Sequence, residues 1–324
     1  MSTLIDFHVH VFPNSLETWI SRNLPASLNS FLPVNPVAKL RKQARAWFKP
    51  FSNSAHNAQA ILRHLPEIAR NRLDELSSFV PLPSLLFESS AEDLKEAMED
   101  AEIDYSLVIA YPPLMENDFV MEVCQKNTKL IPVVSIPKGT SKPGQVLKRY
   151  AEKGAKALKL HPASDGEGVE SPRYRALIRS ASDLGLPIIL HTGCLHSKLF
   201  YKDPSQGHAE RFTKWYENYP NTQFVLAHMN FHEPNVAIDI CEEFSNVWVD
   251  TSWQPAEVIG EAARRIGPER VLFSSDWPFI GNNISVGRDK IRDCVNTGML
   301  NEDQAKLILG DNAIKLLGIK VDAN

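Results

Sequence analysis

Eight short runs rich in Val, Ile and Leu organise this chain, and each leads into a polar turn and then a helical pattern. They are LIDFHVHV (4–11), DYSLVIAYP (104–112), KLIPVVSIP (129–137), AKALKLHP (155–162), LPIILHTG (186–193), TQFVLAHM (222–229), NVWVDTS (246–252) and RVLFSSDWP (270–278). Near-continuous apolar runs separated by helices are what a parallel sheet covered on both faces requires. From the second run onward they start roughly 20 to 40 residues apart, room for one strand–helix unit each. Eight such units favour a TIM-type (β/α)8 barrel over an open doubly wound sheet. No G-x-G-x-x-G or Walker A sequence follows a run, which weakens a nucleotide-binding reading.

The intervening helices are readable from their ends. SSAEDLKEAMEDAEI (89–103) starts on a polar cap and carries Leu94, Ala97, Met98 and Ala101 along one face. SPRYRALIRSASDLG (171–185) has Ser171 as a cap, Pro172 at the first helical position and Gly185 past the end. QPAEVIGEAARRIG (254–267) repeats that arrangement.

One segment breaks the repeat. Nearly 80 residues separate the first run from the helix at 89, and they hold two expected helices, roughly 35–48 and 55–77. The run SSFVPLPSLLF (77–87) imitates a strand, but Pro81 and Pro83 argue against a central one. The reading is one barrel domain over 1–324, with residues 11–88 inserted after strand 1 as a helical cap above the C-terminal face. Arg41, Arg45, Trp47 and Phe48 form a mixed patch in that cap. It serves either to grip a carboxylated aromatic substrate or to pack the cap down.

Composition removes other classes. Of 324 residues, 43% are hydrophobic and 23% charged, close to globular averages, and the formal charge is -4. No large positive field draws the chain to nucleic acid or to an anionic membrane. The N-terminus MSTLIDFHVHVF lacks a signal-peptide pattern, and no apolar run approaches a membrane span. Cys124, Cys194, Cys241 and Cys294 form no C-x-x-C pair, so thiolate zinc and disulfide frameworks have little support. A soluble, cytoplasmic protein with a small-molecule partner is the expectation.

The chemistry lies at the strand ends. His8 and His10 are two apart on the first strand, and period-two geometry points both into the barrel mouth, with Asp6 deeper on the same face. Two imidazoles on one face begin a zinc site. His191, His228 and Asp276 close three further runs at the same height. Burying such groups is expensive unless they are paired or bind metal. The competing reading is a set of satisfied core histidines with one salt-bridged aspartate. Lys159 shares a face with His161: carboxylated it bridges two metals, as an ammonium it meets a substrate anion, or it pairs with an acidic neighbour. Asp250 and Thr251 serve either as partners of a ligand histidine or as a loop cap. Trp277 is either a pocket wall or packing. For His196, Lys198 and His232 a solvated loop is the simpler reading, and His56, His64 and His208 need no special role.

At these residues the chain resembles the metal-dependent amidohydrolase superfamily. The branch is that of aminocarboxymuconate-semialdehyde decarboxylase and related aromatic-acid decarboxylases. The resemblance rests on FHVH early, a histidine after strand 5, another after strand 6 and S-D-x-P-F after strand 8, and is weakest over 11–88. It implies His8, His10, His191 and Asp276 as metal ligands and His228 as a catalytic histidine that ligates weakly or not at all. The implied metal is Zn2+, with Mn2+ as the alternative: one ion, or two if Lys159 is carboxylated. K-L-H-P with Lys159 recurs in hydrolase-like members, and no arginine or aromatic substrate clamp of the decarboxylases can be placed. The implied activity is therefore a hydrolase adding metal-activated water to an amide, lactone or ester carbonyl. Asp276 passes the water's proton to the leaving group and His228 hydrogen-bonds the oxyanion. The alternative is a nonoxidative decarboxylase of an aromatic or unsaturated acid. Related barrels often form dimers, which keeps a homodimer open.

Overall fold

All eight runs form strands in the computed structural model, which describes residues 3–13, 61–77, 89–193, 201–279 and 284–321. They are β1 (Ile5–Val9), β2 (Tyr105–Ile109), β3 (Leu130–Val134), β4 (Ala157–Leu160), β5 (Ile188–His191), β6 (Phe224–Ala227), β7 (Val247–Asp250) and β8 (Val271–Leu272). The strands pair in sequence order, every neighbour parallel. Backbone bonds from the segment after β8 back to β1 draw the ends together: Phe7 N to Phe273 O, His10 N to Trp277 O and Asp276 N to His8 O, at 2.8–2.9 Å. The architecture is the expected (β/α)8 barrel.

Alternation along the strands sorts the apolar residues into two clusters. Ile109, Val133, Ala157, Ile189 and Val225 belong to the layer filling the barrel, while Val108, Val134, Leu158, Leu190 and Leu226 pack toward the helices. Each such fully buried Val, Leu or Ile side chain contributes about 1.5–3 kcal/mol by leaving water. Two residues beyond Ala157, Ile189 and Trp248 of the inner layer come Lys159, His191 and Asp250. Strand periodicity therefore delivers these three to the mouth of the barrel.

β1 departs from simple alternation. Ile5 and Phe7 belong to the inner layer and Val9 to the outer one. The register with β2 jumps from Asp6–Ser106 to Val9–Val108, three steps against two. This bulge switches faces within the strand, so His8 and His10 reach the mouth although Phe7 also points inward. Asp6 consequently does not lie under the two histidines in an unbroken row. It accepts hydrogen bonds from Ser275 N (3.0 Å), Ser275 Oγ (2.5 Å) and His8 N (3.2 Å), joining β1 to the chain after β8.

Two of the three helices read from their ends keep the expected limits, while in the third, Ala256–Ile266, Pro255 is the N-cap and not the first helical residue. The one over Ala91–Asp100 carries a capping box between Ser90 and Asp93, and buries Leu94, Ala97 and Met98. The helix Pro172–Asp183 is capped by Ser171 Oγ, which accepts from Tyr174 N at 3.1 Å, a contact worth about 1 kcal/mol. Of the inserted segment, the described part holds α1 (Glu67–Ser77). Ile61 and Leu62 are helical and the chain then turns at 63–66, which interrupts the expected 55–77 helix. Pro66 has no backbone N–H to continue an earlier helix and suits the start of a new one. The expected helix 35–48, the 78–87 run and the Arg41–Phe48 patch lie outside the described residues. Among the described residues, no helix is long and apolar enough to cross a membrane.

Candidate active site

The mouth of the barrel gathers His8, His10, Lys159, His161, His191, His228 and Asp276, all buried. His8, His228 and Asp276 each offer one ligand atom within 4.8 Å of the others. Asp276 Oδ1 lies 3.6 Å from His8 Nε2 and 3.5 Å from His10 Nε2. Lys159 Nζ stands 3.4 Å from His8 Nε2. His191 is one step further out: its Nδ1 is 3.3 Å from His228 Nε2, and its ring stacks on His161 with centroids 3.7 Å apart. Of these two histidines, His228 is the one whose nitrogen falls within the mutually close set.

Hydrogen-bond partners assign the protons. His8 Nδ1 donates to Asp250 Oδ2 at 3.0 Å, and His10 Nδ1 donates to the Ile109 carbonyl at 2.9 Å. Both acceptors can only accept, so each neutral ring keeps its lone pair on Nε2, facing Asp276. Ser252 Oγ donates to Asp250 Oδ1 at 2.5 Å and so accepts from His228 Nδ1 at 2.7 Å. His228 Nε2 then accepts from His191 Nδ1. This leaves His191 Nε2 as a buried nitrogen without a hydrogen-bond partner, as is His161 Nδ1.

The electrostatics agree with neutral imidazoles around an ionised carboxylate. Burial, reinforced by Lys159, holds His8 well below its ordinary value. Burial likewise depresses His161, with Lys159 adding to it, and His191, with His161 and His228 adding to it. His228 is lowered by burial despite the opposing pull of Asp276 and Asp250. For Asp276, burial pushes upward, but the surrounding His228, His10 and His8 outweigh it and leave the carboxyl below its usual range.

The backbone around the site is strained. His228, Met229, Asn230 and Phe231 follow one another in the left-handed region, at φ of 64, 45, 58 and 52°, and Asp276 sits at 60°. Such conformations cost about 1 kcal/mol or more each and persist only where neighbours enforce them. Gln254 Nε2 enforces the turn after β6 by donating to the carbonyls of His228 (2.7 Å) and Phe231 (2.9 Å). Thr192 Oγ1 accepts from Asn230 N at 3.1 Å. Gly193 lies against this turn: a Cβ there would stand 2.3 Å from the Asn230 carbonyl carbon and oxygen, so no side chain fits.

A cavity of about 630 Å3, counting its open mouth, rises above the cluster. His10, Lys159, His161, His191, His228 and Asp276 form its polar side, and Tyr111, Tyr201, Phe231, Trp253 and Phe279 its aromatic side. Trp277 does not line it and packs in the core. Thr251 Oγ1 accepts from Ser274 N at 3.1 Å as a loop tie. His232 Nε2 donates to both oxygens of Asp74 on α1, at 2.9 and 3.0 Å, seating the inserted segment beside the β6 turn. His208 meets Glu233 at 3.0 Å, and the exposed His64 accepts from Arg63. His56, Cys194, His196 and Lys198 lie outside the described residues. Sequence reasoning passed over Ser252, Trp253 and Gln254. Their signal was a run of polar and aromatic residues directly after a strand end.

Fold and site together define a TIM-barrel enzyme with a histidine–aspartate cluster at the C-terminal ends of its strands. The sequence matches the amidohydrolase family over residues 5–319, and the chain belongs to that family and is an enzyme of its superfamily. No curated protein is significantly similar to it in sequence. An uncharacterised TIM-barrel protein from Bordetella bronchiseptica superposes with a TM-score of 0.64 at 19% identity, covering 98% of each chain. The 5-carboxyvanillate decarboxylase of Sphingomonas paucimobilis superposes at 0.63 with 14% identity, covering 99% of this chain and 100% of that one. A probable 2-pyrone-4,6-dicarboxylic acid hydrolase from Acinetobacter baumannii gives 0.52 at 13%, covering 72% of this chain and 90% of that one. At these identities the likeness establishes the fold.

Proposed function

We propose that the protein is a metal-dependent hydrolase that adds water to the carbonyl of a small, flat amide, lactone or ester. One observation carries the metal dependence. His8 Nε2 and His10 Nε2, both with their protons committed on Nδ1, turn lone pairs toward an ionised Asp276 Oδ1 at 3.6 and 3.5 Å. His8, His228 and Asp276 offer ligand atoms within 4.8 Å of one another and His10 Nε2 adjoins Asp276; buried acceptors so placed suit a divalent cation, and the imidazole–carboxylate set suits Zn2+, with Mn2+ as the alternative. His8, His10 and Asp276 would hold it, with a third nitrogen from the adjoining His191–His228 pair. When bound, the ion supplies Lewis acidity and a lowered pKa for water.

The chain's own groups do the rest. Asp276 is the base that takes the proton of the attacking water and returns it to the leaving atom. Ser252 holds His228 at Nδ1 and so turns its Nε2 toward the cavity, where the ring hydrogen-bonds the developing oxyanion through a proton that Nε2 takes from solvent when substrate binds and gives back when product leaves. Lys159 enters as an ammonium on the cavity wall, where it meets an anionic group of the substrate. A carboxylated Lys159 would instead appear as a second equivalent of metal. The aromatic walls exclude water and suit a planar molecule. The inserted segment 11–88 acts as a cap within a single-domain enzyme, a placement supported by the Asp74–His232 contact.

A second reading, nonoxidative decarboxylation of an aromatic or unsaturated acid, is favoured by the same aromatic walls and by the likeness to the carboxyvanillate decarboxylase. Here Asp276 takes a proton from water and passes it to the ring carbon as CO2 leaves. A panel of carboxylated lactones, esters, amides and aromatic acids in oxygen-labelled water separates the two. Hydrolysis puts the label into the product, whereas CO2 release without incorporation overturns it.

A further inference from the structure

From the last residue of β7 onward, Asp250, Ser252 and Gln254 each tie down a named atom of the site, and Trp253 stands among them. Its Nε1–H donates to Asp276 Oδ2 at 2.7 Å. Its ring meets Phe231 edge to face at 5.4 Å and lines the cavity. Trp253 itself holds a φ of 68°, a left-handed conformation that a bulky aromatic rarely adopts and that Gly or Asn would adopt more cheaply. A wall alone does not call for tryptophan there, since any aromatic ring would serve. The distinguishing feature is the indole N–H, which claims one carboxylate oxygen while the other faces His8 and His10.

We propose that Trp253 is a positioning residue that makes Asp276 a one-oxygen metal ligand. The bond to Oδ2 fixes the plane of the carboxylate and withholds that oxygen, leaving Oδ1 as the donor beside His8 Nε2 and His10 Nε2. The proposal rests on the metal-dependent reading of the site. It concerns which oxygen binds and how tightly, and so it predicts a change in the metal itself, visible without any substrate. Groups that orient first ligands are worth 10–100-fold in metal affinity when removed.

The test uses Co2+ as the probe on metal-stripped full-length protein, read by chelator competition and by the visible absorption of the bound ion. Trp253→Phe keeps the ring and deletes the donor. It is expected to weaken Co2+ binding by roughly tenfold or more and to change the absorption intensity, because the freed Oδ2 alters the ion's coordination. Trp253→His, which presents a ring N–H, should fall between wild type and Trp253→Phe, and it keeps the comparison available if Trp253→Phe does not fold. Trp248→Phe is the control: it deletes the indole bond to Gln223 Oε1 (2.7 Å) near the start of β7 and should bind as wild type does. Wild-type affinity and an unchanged spectrum in folded Trp253→Phe or Trp253→His would overturn the positioning role while leaving the metal site intact. A wild-type chain that binds no Co2+ would sink the metal reading instead.

Discussion

Asp250 Oδ2 receives the Nδ1–H of His8 at 3.0 Å, and through that bond a residue at the end of β7 decides which way a histidine of β1 faces. Asp250 Oδ1 meanwhile accepts from His228 N (2.9 Å), Ser252 N (3.1 Å) and Ser252 Oγ (2.5 Å). A single fully buried carboxylate therefore sets the tautomer of one cluster histidine and anchors both the backbone and, through Ser252, the ring of another.

Replacing Asp250 with Ala strands these donors without water. We expect a loss of stability on the order of 3 kcal/mol, seen as a lower urea midpoint at unchanged slope. Metal affinity should fall by roughly tenfold or more, since His8 is no longer held with Nε2 inward. A variant as stable as wild type would show that the four donors find other partners.

Ser252→Ala is a smaller lesion. It removes the acceptor of His228 Nδ1 while leaving the ring in place. Steady-state kinetics should show kcat reduced by about tenfold with KM unchanged, because the role proposed for His228 is on the reacting atoms and not in substrate affinity. A change confined to KM would assign His228 to binding.

Gly193 separates the end of β5 from the strained turn after β6. At φ 58°, with the Asn230 carbonyl 2.3 Å from any Cβ, Gly193→Ala should cost about 3 kcal/mol through overpacking and left-handed strain. A thermal melt within a degree or two of wild type would contradict the close approach.

Much of this was legible beforehand, for physical reasons. Runs such as AKALKLHP and LPIILHTG carry their own periodicity, so Lys159 and His191 could be placed at a strand end without coordinates. Ser171 and Gly185 announced a helix's two limits. The bulge in β1 was not legible, because IDFHV alternates as well on either face and only its register with β2 reveals the switch. Nor was the left-handed turn from His228 to Phe231: local preference argues against it, and Gln254, Thr192 and Gly193, distant in sequence, impose it. Nor could Trp277 be settled as wall or packing, since that depends on which side of a turn its indole falls; it packs in the core.

The buried pair between Asp74 on α1 and His232 ties the inserted segment to the barrel. Asp74→Ala should cost about 1–3 kcal/mol and render the stretch around α1 more susceptible to limited proteolysis, mapped by mass spectrometry of the first fragments. Unchanged cleavage would mean that the segment is held chiefly by other contacts.

The most direct measurement of the central claim is metal content and affinity in the wild type beside Asp276→Asn and the His8→Ala, His10→Ala double variant. Metal analysis of the purified wild-type protein should find about one divalent ion per chain, removed by chelator together with activity and restored by Zn2+ or Mn2+. Both variants should be essentially metal-free. Full activity in the metal-free wild type, or undiminished binding when both histidines are gone, would contradict the account.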